Sequence, residues 1–295
     1  MNIDPIILGH NQFIGVDHFS QDRARDRVQL FSDTEKILNV VRDFYNFGGT
    51  GMMLSTHPKT KAIMDAIGSD PVLSKNMNMY PLIPYAQGYV RKANEMGMVG
   101  MLKDVLEPAS TSTKFKILLK GGMNVLNQDF FNTISTFIDV EMLPFTGFNV
   151  KAIFLHNVLT DLALSMDSQK VFEFFVDYIK DNYNAVPAFG TMNFARLVKS
   201  FDEWGIEKPL VMSSFNKAGF QMNPSRVECE RCLSEYDVNV LAMSTLASGY
   251  LKPKEAYEYL FSLPNIKSVV VGVSSKGHAE ETFGIIKKYF GERAV

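Results

Sequence analysis

From residue 186 onward the chain repeats one pattern three times: an apolar run, a tip of small and polar residues, then an amphipathic stretch. The runs and their tips are Ala188-Phe189-Gly190-Thr191-Met192-Asn193-Phe194, Met243-Ser244-Thr245-Leu246-Ala247-Ser248-Gly249-Tyr250-Leu251 and Val269-Val270-Val271-Gly272-Val273-Ser274-Ser275. Short apolar runs bounded by turn residues read as buried strands, and the stretches after them as helices. The same alternation extends backwards. Strands are predicted over residues 6–9, 51–54, 79–83, 150–155, 186–189, 209–212, 238–243 and 266–271.

Helices are predicted between them. Ser32 followed by Glu35 reads as a capping box, Ile37, Val40, Val41 and Phe44 form the buried stripe, and Gly48-Gly49 ends the element. Further helices fall over residues 60–67, 168–180, 194–204 and 227–233. A closing helix over 279–290 carries Phe283, Ile285, Ile286 and Tyr289. Eight strands alternating with helices predict parallel pairing with right-handed crossovers, and closure into a single (β/α)8 TIM barrel spanning 1–295. Such barrels gather their chemistry at the carboxyl ends of the strands.

One region falls outside the repeat. Residues 87–124 contain a helical stretch (90–106), a polar break at Ser110-Thr111-Ser112-Thr113 and a strand-like run (115–119). They read as an insertion after the third strand, near the barrel mouth. The alternative makes 115–119 a barrel strand and the first predicted strand a plug.

Composition narrows the function classes. With 30 basic and 32 acidic residues the net charge is −2, so no basic face points to nucleic acid or an anionic membrane. The start, Met1-Asn2-Ile3-Asp4-Pro5, lacks a secretory pattern, and no apolar run approaches the roughly 18 residues of a membrane helix. The two cysteines, Cys229 and Cys232, have CxxC spacing but sit inside a helical pattern with no second pair. They read as ordinary helix residues of a cytoplasmic, disulfide-free protein acting on a small molecule. Oligomeric state is not legible.

The tips of the last four strands resemble those of the aldo/keto reductase superfamily. Gly190-Thr191-Met192-Asn193-Phe194 is similar to that family's Gly-Val-Ser-Asn-Phe tip, with Met192 the exception. Phe215-Asn216 stands where the family has a Tyr-Asn pair, and Ser244 through Leu251 resembles its Ser-Pro-Leu-small-Gly-x-Leu run. Val271 to Ser275 resembles the tip that grips the adenosine phosphate. The resemblance runs from about residue 153 to the end. It implies an NADP(H)-binding barrel with Asn193, Phe215, Ser244, Leu246, Gly249, Gly272, Ser274 and Lys276 as cofactor contacts. Phe215 would stack on nicotinamide, Asn193 would bond its carboxamide, and Gly249 and Gly272 would let backbone approach phosphate. Ser274 and Lys276 would meet phosphate at a helix N-terminus.

The family's catalytic Asp, Tyr, Lys and His are matched only in part. Leu155-His156-Asn157 closes the fourth strand as the family motif does. After the second strand the run is Ser55-Thr56-His57-Pro58-Lys59, without acid or Tyr, and the third strand ends Ile83-Pro84-Tyr85 instead of in Lys. The five histidines, His10, His18, His57, His156 and His278, all fall at or just beyond predicted strand ends. Three readings follow. An oxidoreductase would use Tyr85 or His57 as proton donor and His156 to orient a carbonyl. A divalent-metal hydrolase, lyase or isomerase would use His10, His57 and His156 as ligands, with Asp17 or His18 as further candidates. A third reading binds a nucleotide or phosphorylated ligand without turnover.

Overall fold

The computed structural model describes residues 2–16, 20–84, 130–273 and 276–293. The first apolar run decides the topology. Ile6–Leu8 (β1) pairs in parallel with Gly51–Ser55 (β2) on one side and with Ile266–Val271 (β8) on the other. Around the ring follow Asn78–Ile83 (β3), β4, Val186–Gly190 (β5), Leu210–Ser214 (β6) and Asn239–Met243 (β7), each parallel to its neighbours. β4 comes in two pieces, Asn149–Val150 and Ala152–Leu155. The eight-stranded parallel barrel is closed, as the strand pattern predicts. β1 is one of its staves, which removes the alternative that made it a plug. The predicted insertion at 87–124 lies outside the described residues.

Strand periodicity divides the barrel into two cores. Ile7, Met53, Tyr80, Leu82, Phe154, Ala188, Met212 and Leu241 fill the interior. Their alternates, among them Leu8, Met52, Leu54, Ile153, Phe189 and Val211, pack outward against the helices. Between β3 and β4 the register slips by one. Asn78 and Met79 face Asn149 and Val150, but Leu82 and Ile83 face Phe154 and Leu155. The extra residue sits at Lys151, as a bulge.

The floor of the barrel is latched by a residue ahead of β1. The Asp4 carboxylate accepts from the Thr50 hydroxyl, from Asn78 Nδ2 at 2.9 and 3.0 Å and from the Tyr80 hydroxyl at 2.5 Å. Its backbone N–H donates to the Tyr80 oxygen at 2.9 Å, and Ser268 Oγ donates to its carbonyl at 2.6 Å. Burial, then the hydrogen bond to Asp4, pushes the Tyr80 phenol well above its ordinary range. Asp4 thus ties its neighbours to the entry of β1, the start of β2 and β3 through its carboxylate and β8 through its carbonyl.

Helices cover the outside: Gln21–Leu30 (α1), Thr34–Asn46 (α2), Thr60–Ser69 (α3), Leu73–Asn76 (α4), Phe130–Glu141 (α5), Asn157–Ser165 (α6), Gln169–Tyr183 (α7), Phe194–Glu203 (α8), Arg226–Glu235 (α9), Pro253–Ser262 (α10) and Lys276–Arg293 (α11). α2 buries Ile37, Leu38, Val41 and Phe44, close to the predicted stripe. Its N-cap is Asp33, which accepts from Glu35 N, while Ser32 Oγ donates back to Gln29 O at the end of α1. The N-cap is therefore one residue later than predicted, and Ser32 and Glu35 do not form the predicted capping box. Phe172 of α7, Phe189 of β5 and Phe201 of α8 meet with ring centroids 4.9–5.7 Å apart, and Trp204 closes over them. Cys229 and Cys232 are buried, free residues of α9, and burial pushes the Cys229 thiol up to about 12. Among the described residues no helix is long and apolar enough to cross a membrane.

Candidate active site at the barrel mouth

Strand alternation also decides what lines the carboxyl end of the barrel. Two residues beyond the interior Met53, Phe154, Ala188 and Met212 come Ser55, His156, Gly190 and Ser214, so the upper rim is polar and small above an apolar floor.

Three histidines reach this rim from successive tips. His10 follows β1 and is 5% exposed. Its Nε2 lies 2.8 Å from Ser55 Oγ and 3.3 Å from Ser55 N. A backbone N–H can only donate, so Nε2 is the acceptor and the neutral ring carries its proton on Nδ1, with the Met53 carbonyl available to it. Burial first, then repulsion from His57 and His156, lowers its pKa from 6.5 to about 4. That mutual repulsion shows that the tips after β1, β2 and β4 share one electrostatic neighbourhood.

His57 and His156 have the opposite tautomer. His57 Nδ1 accepts from Lys59 N at 3.2 Å, and His156 Nδ1 accepts from Val158 N at 3.3 Å as the N-cap of α6. Both therefore carry the proton of the neutral ring on Nε2. Burial holds His156 below its ordinary pKa, against the opposing effect of Asp161. A charge there would also break the cap and face the positive end of α6. At neutral pH His156 is an uncharged N–H donor.

The β5 tip is tied from the same helix. The Asp161 carboxylate accepts from the Thr191 hydroxyl and, at 3.0 Å, from Met192 N. Asp161→Ala leaves the O–H of the fully buried Thr191 and the Met192 N–H without their acceptor, while the Thr191 oxygen still accepts from Asn193 N, and urea unfolding is expected to show a loss of about 2 kcal/mol.

The proposed cofactor contacts separate into three groups. Asn193 (exposed, heading α8), Ser244 and Leu246 (half-buried), Gly249 and Gly272 (both exposed) form an accessible arc along the tips of β5, β7 and β8. Gly249 has φ +91°, so the turn there requires glycine. Ser244, Ala247 and Ser248 of the same tip also have positive φ. Phe215 is the correction. It is 0% exposed and packs edge-on against Phe194, centroids 5.0 Å apart, in the layer between barrel and helices. A buried ring presents no stacking face, so it is not a nicotinamide platform. Its neighbour Asn216 is likewise internal, bonded to Phe220 N and O at 2.8 Å. Gly272 is accessible on one side only: a Cβ on it would lie 2.4 Å from Gln12 Oε1, so the Gln12 side chain packs against it. Tyr85, Asp17, His18, Ser274 and the side chains of Lys276 and His278 lie outside the described residues.

The metal alternative is corrected too. Among the described residues no three His, Cys, Asp or Glu side chains are grouped to hold one ion. His10, the most buried of the proposed trio, turns its acceptor nitrogen to Ser55. What the sequence pattern does not single out is a set of unpaired polar atoms at the same rim. Among the described residues Gln12 Nε2, Thr56 Oγ1 and Ser214 Oγ are buried without a hydrogen-bond partner.

No family model and no curated protein matches the chain in sequence. Among solved structures, two crystal structures of a candidate aldo-keto reductase from Pseudomonas aeruginosa are similar to it. Each covers 98% of this chain and 92% of its own with a TM-score of 0.57, at 10% and 9% identity. At that identity the likeness is one of fold, and the fold is a closed (β/α)8 barrel.

Proposed function

We propose that this chain is a divergent aldo/keto reductase-like oxidoreductase that binds NADP(H) and acts on a small carbonyl or alcohol. The observation that carries the reading is His156. It stands at the position of the family histidine, uncharged, with Nδ1 committed to the α6 backbone and Nε2–H left as the donor. A carbonyl oxygen accepting from that N–H is oriented and polarised without being protonated.

The cofactor, when bound, supplies or takes up the hydride. Asn193, Ser244, Leu246, Gly249 and Gly272, continued by Ser274 and Lys276, would hold it along the accessible arc. That arc suits its phosphate and adenosine half. The proton that completes a reduction comes from His57 or Tyr85 in the absence of the family's Tyr–Lys–Asp set. His57 is half-buried on the tip after β2, adjacent to His10 in charge if not in sequence. The apolar floor of Met53, Phe154 and Met212 keeps water from the reacting carbonyl.

The test is a titration with NADPH read by the emission of the cofactor itself. The single tryptophan, Trp204, packs among Phe172 and Phe201 at the far end of α8 and is a poor reporter of the mouth. Saturable binding that weakens on Lys276→Ala is expected; no saturable change overturns the reading. With small aldehydes, His156→Ala is expected to lower kcat/KM by roughly 10–100-fold, about 1.4–2.7 kcal/mol of barrier.

A further inference from the structure

Two of the three unpaired atoms belong to side chains that are almost wholly enclosed. Gln12 is 5% exposed and Ser214 1% exposed, yet among the described residues Gln12 Nε2 and Ser214 Oγ have no partner. Burying a donor without an acceptor is costly, and native interiors avoid it. An apolar residue of the same size would be better at either position if only stability mattered. Both residues also stand at the carboxyl end of the barrel. Ser214 continues the inward row Leu210, Met212 to the rim of β6. Gln12 lies across Gly272, at the exit of β8. In a ring of eight, β8 faces β4, which carries His156. Thr56, half-buried beyond β2, adds a third unpaired hydroxyl.

Charge sets the kind of ligand. Of the basic groups near the rim, His10 and His156 are held neutral by burial. Lys59, after β2, turns its Nζ to the carbonyls of Phe13 and Phe31 at 3.3 and 3.2 Å. An anion would pull the histidines back toward protonation against their burial, whereas a neutral oxygen accepts from Gln12 Nε2 and from Ser214 Oγ without that cost.

We infer that Gln12 and Ser214 form an unassigned ligand clamp at the mouth, which fixes the far end of a small uncharged compound carrying at least two oxygen functions, a hydroxycarbonyl or a polyol, while His156 takes the near end. The clamp deepens the oxidoreductase reading by specifying its substrate class, and it rests on that reading only for the role of His156.

Stability and binding test it together. Ser214→Ala and Gln12→Met, melted without ligand, are expected to match the parent or exceed it by about 2 °C each, because an unpaired buried polar atom is removed. A fall in Tm for both shows that the atoms serve the fold and overturns the clamp. Dihydroxyacetone and glycerol, followed by saturation-transfer NMR, are expected to bind the parent saturably. Acetone, with one oxygen, and lactate, an anion, are expected to bind at least 10-fold more weakly. Each variant is expected to lose about 10-fold toward dihydroxyacetone and to leave acetone unchanged. Absence of binding by both oxygen-rich probes, equal binding of all four, or unchanged affinity in both variants overturns the clamp. The NADPH titration is read separately. Probe binding without NADPH binding removes the oxidoreductase reading and keeps the clamp, and the reverse result removes only the clamp.

Discussion

Asp4→Ala is expected to cost about 3 kcal/mol in urea unfolding, the largest loss from any single polar residue described here. The carboxylate accepts from Thr50, Asn78 and Tyr80 at once. Hydrogen bonds to a charged acceptor contribute roughly 1.5–3 kcal/mol each, and removing the acceptor strands the fully buried Tyr80 hydroxyl among Ile7, Met53 and the other interior side chains. Partial solvent access at Asp4 keeps the total below the sum of the three. Asp4→Asn should fall between parent and alanine variant, since the amide accepts but lacks the charge. Tyr80→Phe should cost less than Asp4→Ala because the carboxylate keeps Thr50 and Asn78 as donors, although the Asp4 N–H loses its acceptor. An Asp4→Ala variant as stable as the parent would mean that the latch contributes nothing.

The second large effect is a dependence on acidity that resides at the opposite end of the barrel. His10 has a folded pKa of about 4 against 6.5 for an unhindered imidazole. Between these values the unfolded chain binds a proton that the folded chain refuses. Stability conferred by the neutral ring is therefore fully present above pH 6.5, falls as pH drops toward 4, and changes no further below that. At about 1.4 kcal/mol per unit the loss comes to about 3 kcal/mol. His156, shifted in the same direction, adds to it. Denaturant midpoints measured across pH 4–7 should show this slope in the parent and a much flatter one in His10→Gln. An unchanged slope in the variant would locate the proton elsewhere.

How much of this was legible beforehand differs by level. Strands were the easy part. β8 occupies the six residues that its apolar run marks, Ile266–Val271, and every predicted strand is found within about two residues of its place. Their inner faces are apolar over most of their length, so period and burial agree. Helices were less so. α1, Gln-Asp-Arg-Ala-Arg-Asp-Arg-Val-Gln-Leu, is polar on nearly all sides and gives no stripe to follow. α6 begins at the strand tip itself, with His156 as its cap, so a residue read only for chemistry conceals the start of an element. α10 was within reach, since Pro253 at its first turn with Glu255 after it is an ordinary N-terminal signal.

At the site, sequence found the tips and misjudged some of their side chains. His10, His57 and His156 lie on tips at the same end of the barrel, but sequence could not say that Ser55 engages the first of them, or that the three are not grouped to hold one ion. Phe215 was assigned by analogy of position, and only the packing of α8 against β6 reveals that its ring is sealed behind Phe194. Gln12 and Ser214 carry no local mark at all. A missing hydrogen-bond partner is a property of three-dimensional surroundings, and no spacing of letters encodes it.

The placement of β1 has a consequence for biogenesis. This strand of three residues, the first of the ring in chain order, needs β8 for one of its two flanks, and the Ser268 hydroxyl that meets the Asp4 carbonyl is encoded 264 residues later. Until that last stave emerges, the nascent ring is an open parallel sheet with two raw margins, the kind of edge on which neighbouring chains aggregate. The last stave must be made before the molecule can seal itself, so termination anywhere ahead of β8 yields a sticky fragment and not a smaller working barrel.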